Sequence, residues 1–260
     1  MPESENRFSQ KYFKANGRGT EVVVPDDDKK IQKIGEGIYG QVYQAEVQVG
    51  GHRLKMVVKD FNKTSQGFRP IAIARTNARQ AIENYGAAKE AGVKVFTTYR
   101  LSEDGTKILM TNGNNAETVC VGSNPSSDSV TDFGAEKLEA IDHFENFVKN
   151  ILEQASLAGS NGIFISIDAY FFLLNRKRPG VVEYVVGDLD EVIKNPTFFA
   201  RHDLPVRNVE LACRALDFFV SKNVASEDIK NEYFQLISDL ENRQLRSIEI
   251  DAHTQAEAKK

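Results

Sequence analysis

Three glycines and a lysine carry the first recognisable chemistry in this chain. Ile34-Gly35-Glu36-Gly37-Ile38-Tyr39-Gly40-Gln41-Val42-Tyr43 spells G-x-G-x-x-G-x-V. Between two β-type segments, such a run can fold as a flexible hairpin over a nucleotide's phosphates. Dinucleotide sites use the same spacing, but there a helix opens at the third glycine. Here the residues after Gly40 alternate instead. Tyr43, Ala45, Val47 and Val49 are apolar, and Gln44, Glu46 and Gln48 between them are polar, which is the period of a half-buried strand. Gly50-Gly51 then offers a tight turn into Leu54-Lys55-Met56-Val57-Val58-Lys59, so the predicted order is strand, glycine loop, strand, turn, and a strand ending in lysine.

That order resembles the small lobe of the protein-kinase-like superfamily, with Val57-Val58-Lys59 standing where the family has V-A-I-K. The resemblance implies that Gly35, Gly37 and Gly40 cover the phosphates of ATP, with Val42 and Met110 also at the nucleotide. It further implies that Lys59 reaches the α- and β-phosphates while an acid from the next helix holds its ammonium. The segment Asn77 to Glu90 is rich in helix formers, and Gly92 follows as a stop signal. It carries two candidate acids, Glu83 and Glu90. Glu83 is favoured, because Glu90 lies in the last turn, where a negative charge opposes the helix dipole. Glu90-Ala91-Gly92-Val93-Lys94-Val95 is similar to a run in small, atypical kinases and small-molecule phosphotransferases. Lys107-Ile108-Leu109-Met110-Thr111 reads as a buried strand leading to a hinge.

A kinase-like second half needs a helix, a catalytic loop and a β-hairpin ending in a metal-binding aspartate. Gly134 to Ala158 has the helix: Leu138, Ile141, Phe144, Phe147, Val148, Ile151, Leu152 and Ala155 recur at three- and four-residue spacing. After Ile163 to Leu174, a turn over Asn175 to Gly180 leads to a strand, Val181 to Val186, and Gly187-Asp188-Leu189-Asp190 closes the hairpin. Asp188 stands where the family has the aspartate of D-F-G, which implies a Mg²⁺ ligand beside the β- and γ-phosphates. D-F-G has become D-L-D: Leu189 suits the inward apolar position, and Asp190 is an additional candidate ligand.

The catalytic loop departs further from H-R-D-x-x-x-x-N. Asp168 is the candidate base, yet no histidine precedes it and Leu173 stands five residues on. Aligned on the hairpin instead, Ser166 takes the base slot and Phe171 the asparagine slot. Two look-alikes compete. Asp132-Phe133-Gly134 spells the metal motif, but it follows a polar loop and opens a helix, with Asp132 near the N-cap. Arg201-His202-Asp203-Leu204-Pro205-Val206-Arg207-Asn208 imitates the catalytic loop, but Val209 to Val220 after it has a helical pattern, with Pro205 suited to the first turn.

The remaining composition bounds the function. The chain has 260 residues, 41% of them hydrophobic, enough for one two-lobed domain. A formal net charge of −4 gives no support for a nucleic-acid partner. Cys120 and Cys213 make no metal-ligand pattern, the histidines show no metal spacing, and no apolar run approaches a bilayer's thickness. A cytoplasmic protein is the default, with a secreted effector as the alternative. Residues 1–25 and 251–260 are expected to fray, and Asn112 to Thr131 reads as an exposed loop. Between the termini, 26–112 is the expected small lobe and 113–250 the large one, which ends in two or three helices: Val206 to Lys222, Ser226 to Asn242, and part of Arg243 to Asp251.

The expected fold class is α+β, two-lobed and protein-kinase-like, with a β-rich small lobe and a short, mostly helical large lobe. The expected function is ATP- and Mg²⁺-dependent phosphoryl transfer to an unidentified protein or small molecule. The alternatives are a catalytically inactive pseudokinase acting as a nucleotide-binding scaffold or regulator, and an interaction domain with no nucleotide site.

Overall fold

The computed structural model describes residues 13–14, 21–23, 31–49, 52–96, 99–123 and 137–257. It is a mixed α and β protein that divides into two compact units. The first holds residues 1–83 and 96–115, and the second holds 84–95 and 116–260. The split therefore differs from one at 112/113 chiefly in the stretch 84–95.

In the first unit the strands are β1 (Phe13–Lys14), β2 (Glu21–Val23), β3 (Ile31–Glu36), β4 (Gln41–Val49), β5 (His52–Asp60), the short pair β6 (Lys63–Thr64) and β7 (Gly67–Phe68), β8 (Tyr99–Leu101) and β9 (Lys107–Thr111). The large sheet runs β1-β2-β4-β5-β9-β8, with β3 also on β4. Two of its strands fall within the first 25 residues. Phe13–Lys14 pairs with Glu21–Val23, and β2 pairs in turn with the end of β4 through Val22 and Val23. The Gly50-Gly51 turn lies outside the described residues, while the strands on either side of it pair in register from Gln41↔Asp60 to Val49↔His52.

That register explains which face of the sheet is core. Tyr43, Ala45, Val47, Met56, Val58 and Leu109 pack into one buried cluster. Side chains directly across from each other share a face, and Tyr43, Val58 and Leu109 are such neighbours. Alternation in β4 is thus the imprint of one buried face.

The first helix, α1 (Ile71–Glu90), begins six residues before the predicted Asn77. Pro70 opens it, its carbonyl accepting from the N–H groups of Ile73 and Ala74, both at 3.0 Å. Exposed Ile71 and Ile73 give this first turn no amphipathic pattern to read. The helix ends where predicted. Gly92 adopts φ 79°, which glycine alone takes without strain, and Val93 N–H reaches back to the Ala88 carbonyl at 2.9 Å.

In the second unit, β10 (Thr118–Gly122), β12 (Tyr170–Asn175) and β13 (Val182–Val186) form an antiparallel sheet, and β11 (Ile163–Ile165) pairs with β14 (Val192–Lys194). The expected loop over Asn112 to Thr131 is therefore interrupted by a strand. Val119 and Val121 alternate inward there, hidden in the sequence by the Asn-, Ser- and Gly-rich residues around them. The helices α2 (Phe144–Ser160), α3 (Leu204–Asn223) and α4 (Glu227–Glu257) pack on this framework. α2 buries Phe144, Phe147, Val148, Ile151, Leu152 and Ala155 of the predicted stripe, but it starts at Phe144 and not near Gly134: Leu138 and Ile141 are buried ahead of the helix, Leu138 in a bridge to Val224. Phe172 of β12 stacks on Phe219 of α3 with centroids 4.2 Å apart.

α4 is one helix of 31 residues rather than two, and it carries 251–257, expected to fray, as a continuous extension. No glycine or proline interrupts Glu227 to Glu257. Among the described residues no helix is long and apolar enough to cross a membrane.

Candidate active site

Each unit carries its own set of candidate residues. In the first, β3 and β4 form the hairpin whose tip is Gly37–Gly40. Gly35 lies opposite Val42, Glu36 opposite Gln41, and Gly37 N–H donates to the Gly40 carbonyl at 2.9 Å. Val42 in turn pairs with Lys59, Lys59 with Ile108, and Val57 with Met110. Val42, Lys59, Val57, Ile108 and Met110 therefore share the face opposite the core cluster. The sheet's register gathers Gly35, Val42, Lys59 and Met110, which the sequence nominated from separate segments.

Gly40 lies against the base of Lys59. A Cβ on Gly40 would stand 2.9 Å from the Asp60 carbonyl oxygen and 3.4 Å from Lys59 Cγ, whereas one on Gly37 would meet nothing within 4 Å. Glycine is thus required at 40 by the strand beneath, and at 37 the space beside the loop is open. Lys59 is buried, with Nζ 5.7 Å from the Phe61 ring centroid.

Glu83, the expected partner of Lys59, is exposed and enters no ion pair among the described residues. Its neighbour explains why. α1 turns Ala81, Asn84 and Ala88 inward, and a residue one position before Asn84 is rotated about 100° from that stripe.

The sequence reading missed a buried charge pair beside Lys59. Asp60 and Lys107 are directly paired across β5 and β9, with Lys107 Nζ 3.7 Å from Asp60 Oδ2 and both side chains nearly inaccessible. Asp104 completes the group: its carboxylate lies 3.8 Å from Lys107 and accepts from Ser102 Oγ at 2.6 Å and Thr106 N–H at 3.0 Å. Burial raises the pKa of Asp60, and Lys107 opposes that shift. The only sequence signal was two opposite charges inside strands.

In the second unit, Asp168 occupies a 3-10 turn, Ile167–Ala169, between β11 and β12. The turn is held from several sides. Ser166 N–H donates to the Glu191 carbonyl at 2.9 Å, and Gly187 N–H donates to the Ala169 carbonyl at 2.9 Å. The single hydroxyl proton of buried Ser123 is shared between the carbonyls of Ile167 and Tyr170, both within reach of its Oγ. The Gly187 bond ties the turn to the residue before Asp188. The Asp168 pKa is raised, first by burial and second by the charge of Asp188. Leu189 points inward at 1% exposure, and Asp188 and Asp190 on either side are half-buried.

Asn84 is a second residue the sequence missed. Its Nδ2 donates to the Leu189 carbonyl at 3.0 Å from a nearly inaccessible position, holding the D-L-D turn from α1. The one clue was a polar residue in phase with alanines.

Among the described residues no group of three or more His, Cys, Asp or Glu side chains is arranged to hold a metal. That donor set does not fit an ion held by protein alone. Mg²⁺ is ordinarily bound by one or two carboxylates with phosphate and water completing its shell, and Asp188 and Asp190 are the two carboxylates at the D-L-D turn. The slots for a metal-binding asparagine are apolar in either alignment: Leu173 and Phe171 both lie on β12, paired across to Glu183 and Val185.

The look-alike motifs have other roles or lie elsewhere. Asp132-Phe133-Gly134 lies outside the described residues. Asp203 is exposed just before α3, 3.2 Å from His202. Asn208 is fully buried within α3, accepting from Ile165 N–H at 3.0 Å and donating to the Ile163 and Ala155 carbonyls at 2.8 and 3.1 Å. It joins β11 to two helices. Both thiols are poor nucleophiles, since burial pushes Cys120 up to about 12 and raises Cys213 as well. A groove of about 540 Å³ between α3 and α4, lined by Asp217, Phe218, Phe234 and Glu241 among others, contains none of the candidates. The chain matches no protein-family model and no curated protein.

Proposed function

We propose that this chain is an atypical ATP- and Mg²⁺-dependent phosphotransferase. On this reading the first unit is the β-rich small lobe of a protein-kinase-like fold, and the second is its short, helical large lobe. The observation that carries the proposal is the register linking Gly35, Val42 and Lys59, with Gly40 lying against the Lys59 stem. A buried ammonium under a glycine hairpin is suited to polyphosphate, because its charge is weakly screened there.

Lys59 binds and orients the phosphates beneath the glycine loop. Asp188, with Asp190 beside it, is the set that would hold Mg²⁺, whose charge would offset that of the β- and γ-phosphates. Asp168 orients the acceptor hydroxyl and takes its proton. A carboxylate made more basic by burial is better matched to that task at neutral pH. The acceptor is a hydroxyl-bearing protein or small molecule.

Exposed Glu83 and apolar Leu173 favour a second reading, a nucleotide-binding regulator without transfer. One experiment separates them. Mg²⁺-ATP at millimolar concentration should raise the melting temperature by mass action. Lys59→Ala should shrink that shift, and Asp188→Asn should remove its Mg²⁺-dependent part. Labelled ATP incubated with cell extract should then transfer phosphate only in the enzyme case. No thermal shift, with calorimetry also silent, would sink both readings.

A further inference from the structure

The tip of the glycine loop has every carbonyl engaged. The Gly40 carbonyl accepts from Gly37 N–H at 2.9 Å, and the Gly37 carbonyl accepts from Ser65 N–H at 3.0 Å. Arg69 takes the other two: Nη1 donates to the Tyr39 carbonyl at 3.1 Å and Nη2 to the Ile38 carbonyl. Ser65 and Arg69 both flank or belong to the β6–β7 hairpin, which is itself closed by Thr64 Oγ1 to the Gly67 carbonyl at 3.0 Å and Arg69 N–H to the Asn62 carbonyl at 2.9 Å.

The N–H groups of the tip are in the opposite state. Those of Ile38, Tyr39 and Gly40 donate to no protein acceptor among the described residues. Peptide geometry links the two facts. There are no cis bonds here, and in a trans peptide the C=O of one residue points away from the N–H of the next. Fixing the carbonyls of Gly37, Ile38 and Tyr39 on the hairpin side therefore turns the next three N–H groups to the other side. Consecutive N–H groups turned to one side of a tight loop offer donors to an anion.

We propose that Arg69 is a positioning residue for phosphate: its guanidinium fork latches the Ile38 and Tyr39 carbonyls so that the loop presents its N–H groups to the phosphate oxygens of a nucleoside polyphosphate. The inference rests on the nucleotide-binding reading above and adds what orients the loop. A fork is required, because two carbonyls on successive residues must be held at once. The hydrogen bonds it makes also polarise the same peptide units whose N–H groups meet the anion.

Titration calorimetry of the full chain with Mg²⁺-ATP, inorganic tripolyphosphate and adenosine tests the latch, alongside melting temperature and amide exchange at Gly37 and Ser65. Arg69→Ala should weaken ATP and tripolyphosphate about tenfold or more, leave adenosine unchanged and speed exchange at Ser65. Arg69→Lys should recover only part of the loss. Wild type binding ATP, with folded Arg69→Ala binding it equally well, would overturn the latch alone. Equal loss of ATP and adenosine would also overturn it, as general damage. Binding of tripolyphosphate without ATP would keep the latch and remove the nucleotide reading, and wild type binding neither would remove both.

Discussion

Asp168 and Asp188 are linked through the backbone bond from Gly187 N–H to the Ala169 carbonyl at 2.9 Å, next to the Tyr170–Val186 pairing of β12 and β13. The bond joins the residue after one aspartate to the residue before the other. Burial and the nearby Asp188 charge together raise the Asp168 pKa, so the turn holds an acid in a setting that disfavours its ionised form.

A pH-dependent stability follows from that pair. An acid whose folded pKa is raised favours folding below its unfolded pKa, about 3.9 for aspartate, and loses that contribution as pH rises through the folded value. Asp168→Asn should therefore melt above wild type at pH 7, with the gain shrinking as pH is lowered toward 4. Thermal melts of both proteins across that range check it. A variant that is less stable at pH 7 would mean that Asp168 makes a compensating contact in its ionised form. On the phosphotransferase reading, transfer should meanwhile fall by roughly 10²–10⁴-fold, as for loss of a general base.

The glycine loop separates folding from binding. Gly40→Ala forces a methyl to within 2.9 Å of the Asp60 carbonyl, and such overpacking costs about 1–3 kcal/mol. Gly37→Ala meets no protein atom, so its stability should stay near wild type while its bulk enters the open space beside the loop. Urea melts and ATP titrations of the two variants should show opposite patterns: Gly40→Ala loses stability first, Gly37→Ala loses affinity first.

Legibility along the chain followed how local each determinant is. The β3–β4–β5 order was readable because alternation and glycine spacing are written in neighbouring residues. α2 was readable from Phe144 onward because its buried stripe has helical spacing, but buried Leu138 and Ile141 fall at the same spacing outside the helix and hid its start. The phase of α1 was not readable, since short alanines give little contrast and nothing local marks Asn84, and not the favoured Glu83, as the inward residue. The Asp60–Lys107 pair depends on strand pairing between distant segments, and no local pattern specifies it. β10 was masked by the polar residues that flank its two inward valines.

Lys107→Met should be strongly destabilising, by about 3–5 kcal/mol, because it removes the nearer of the two lysines whose charge favours the buried Asp60 carboxylate, leaving only the weaker influence of Lys63. The sign with pH is specific. Asp60 already has a raised pKa, and losing Lys107 should raise it further. The destabilisation should then be largest near neutral pH and relax as acid neutralises the carboxyl. Denaturant melts at pH 7 and pH 5 measure this; a loss independent of pH would assign the effect to packing instead of charge. The double variant Lys107→Met with Asp60→Leu should recover part of the stability.

Asn208 and Asp203 sit five residues apart in a motif that imitates a catalytic loop, and the structure assigns them different consequences. Asn208→Ala removes the acceptor for Ile165 N–H and the donor to the Ile163 and Ala155 carbonyls. With about 1–3 kcal/mol for each buried group left unsatisfied, the loss should reach roughly 3 kcal/mol or more. Asp203→Asn, at an exposed position beside His202, should change stability by less than about 0.5 kcal/mol and leave ATP binding and transfer intact. Melts and transfer assays of the two variants decide the register of the second half. Transfer lost in folded Asp203→Asn but kept in Asp168→Asn would move the base from the turn before β12 to the start of α3, and Asn208 would then need a role beyond holding β11.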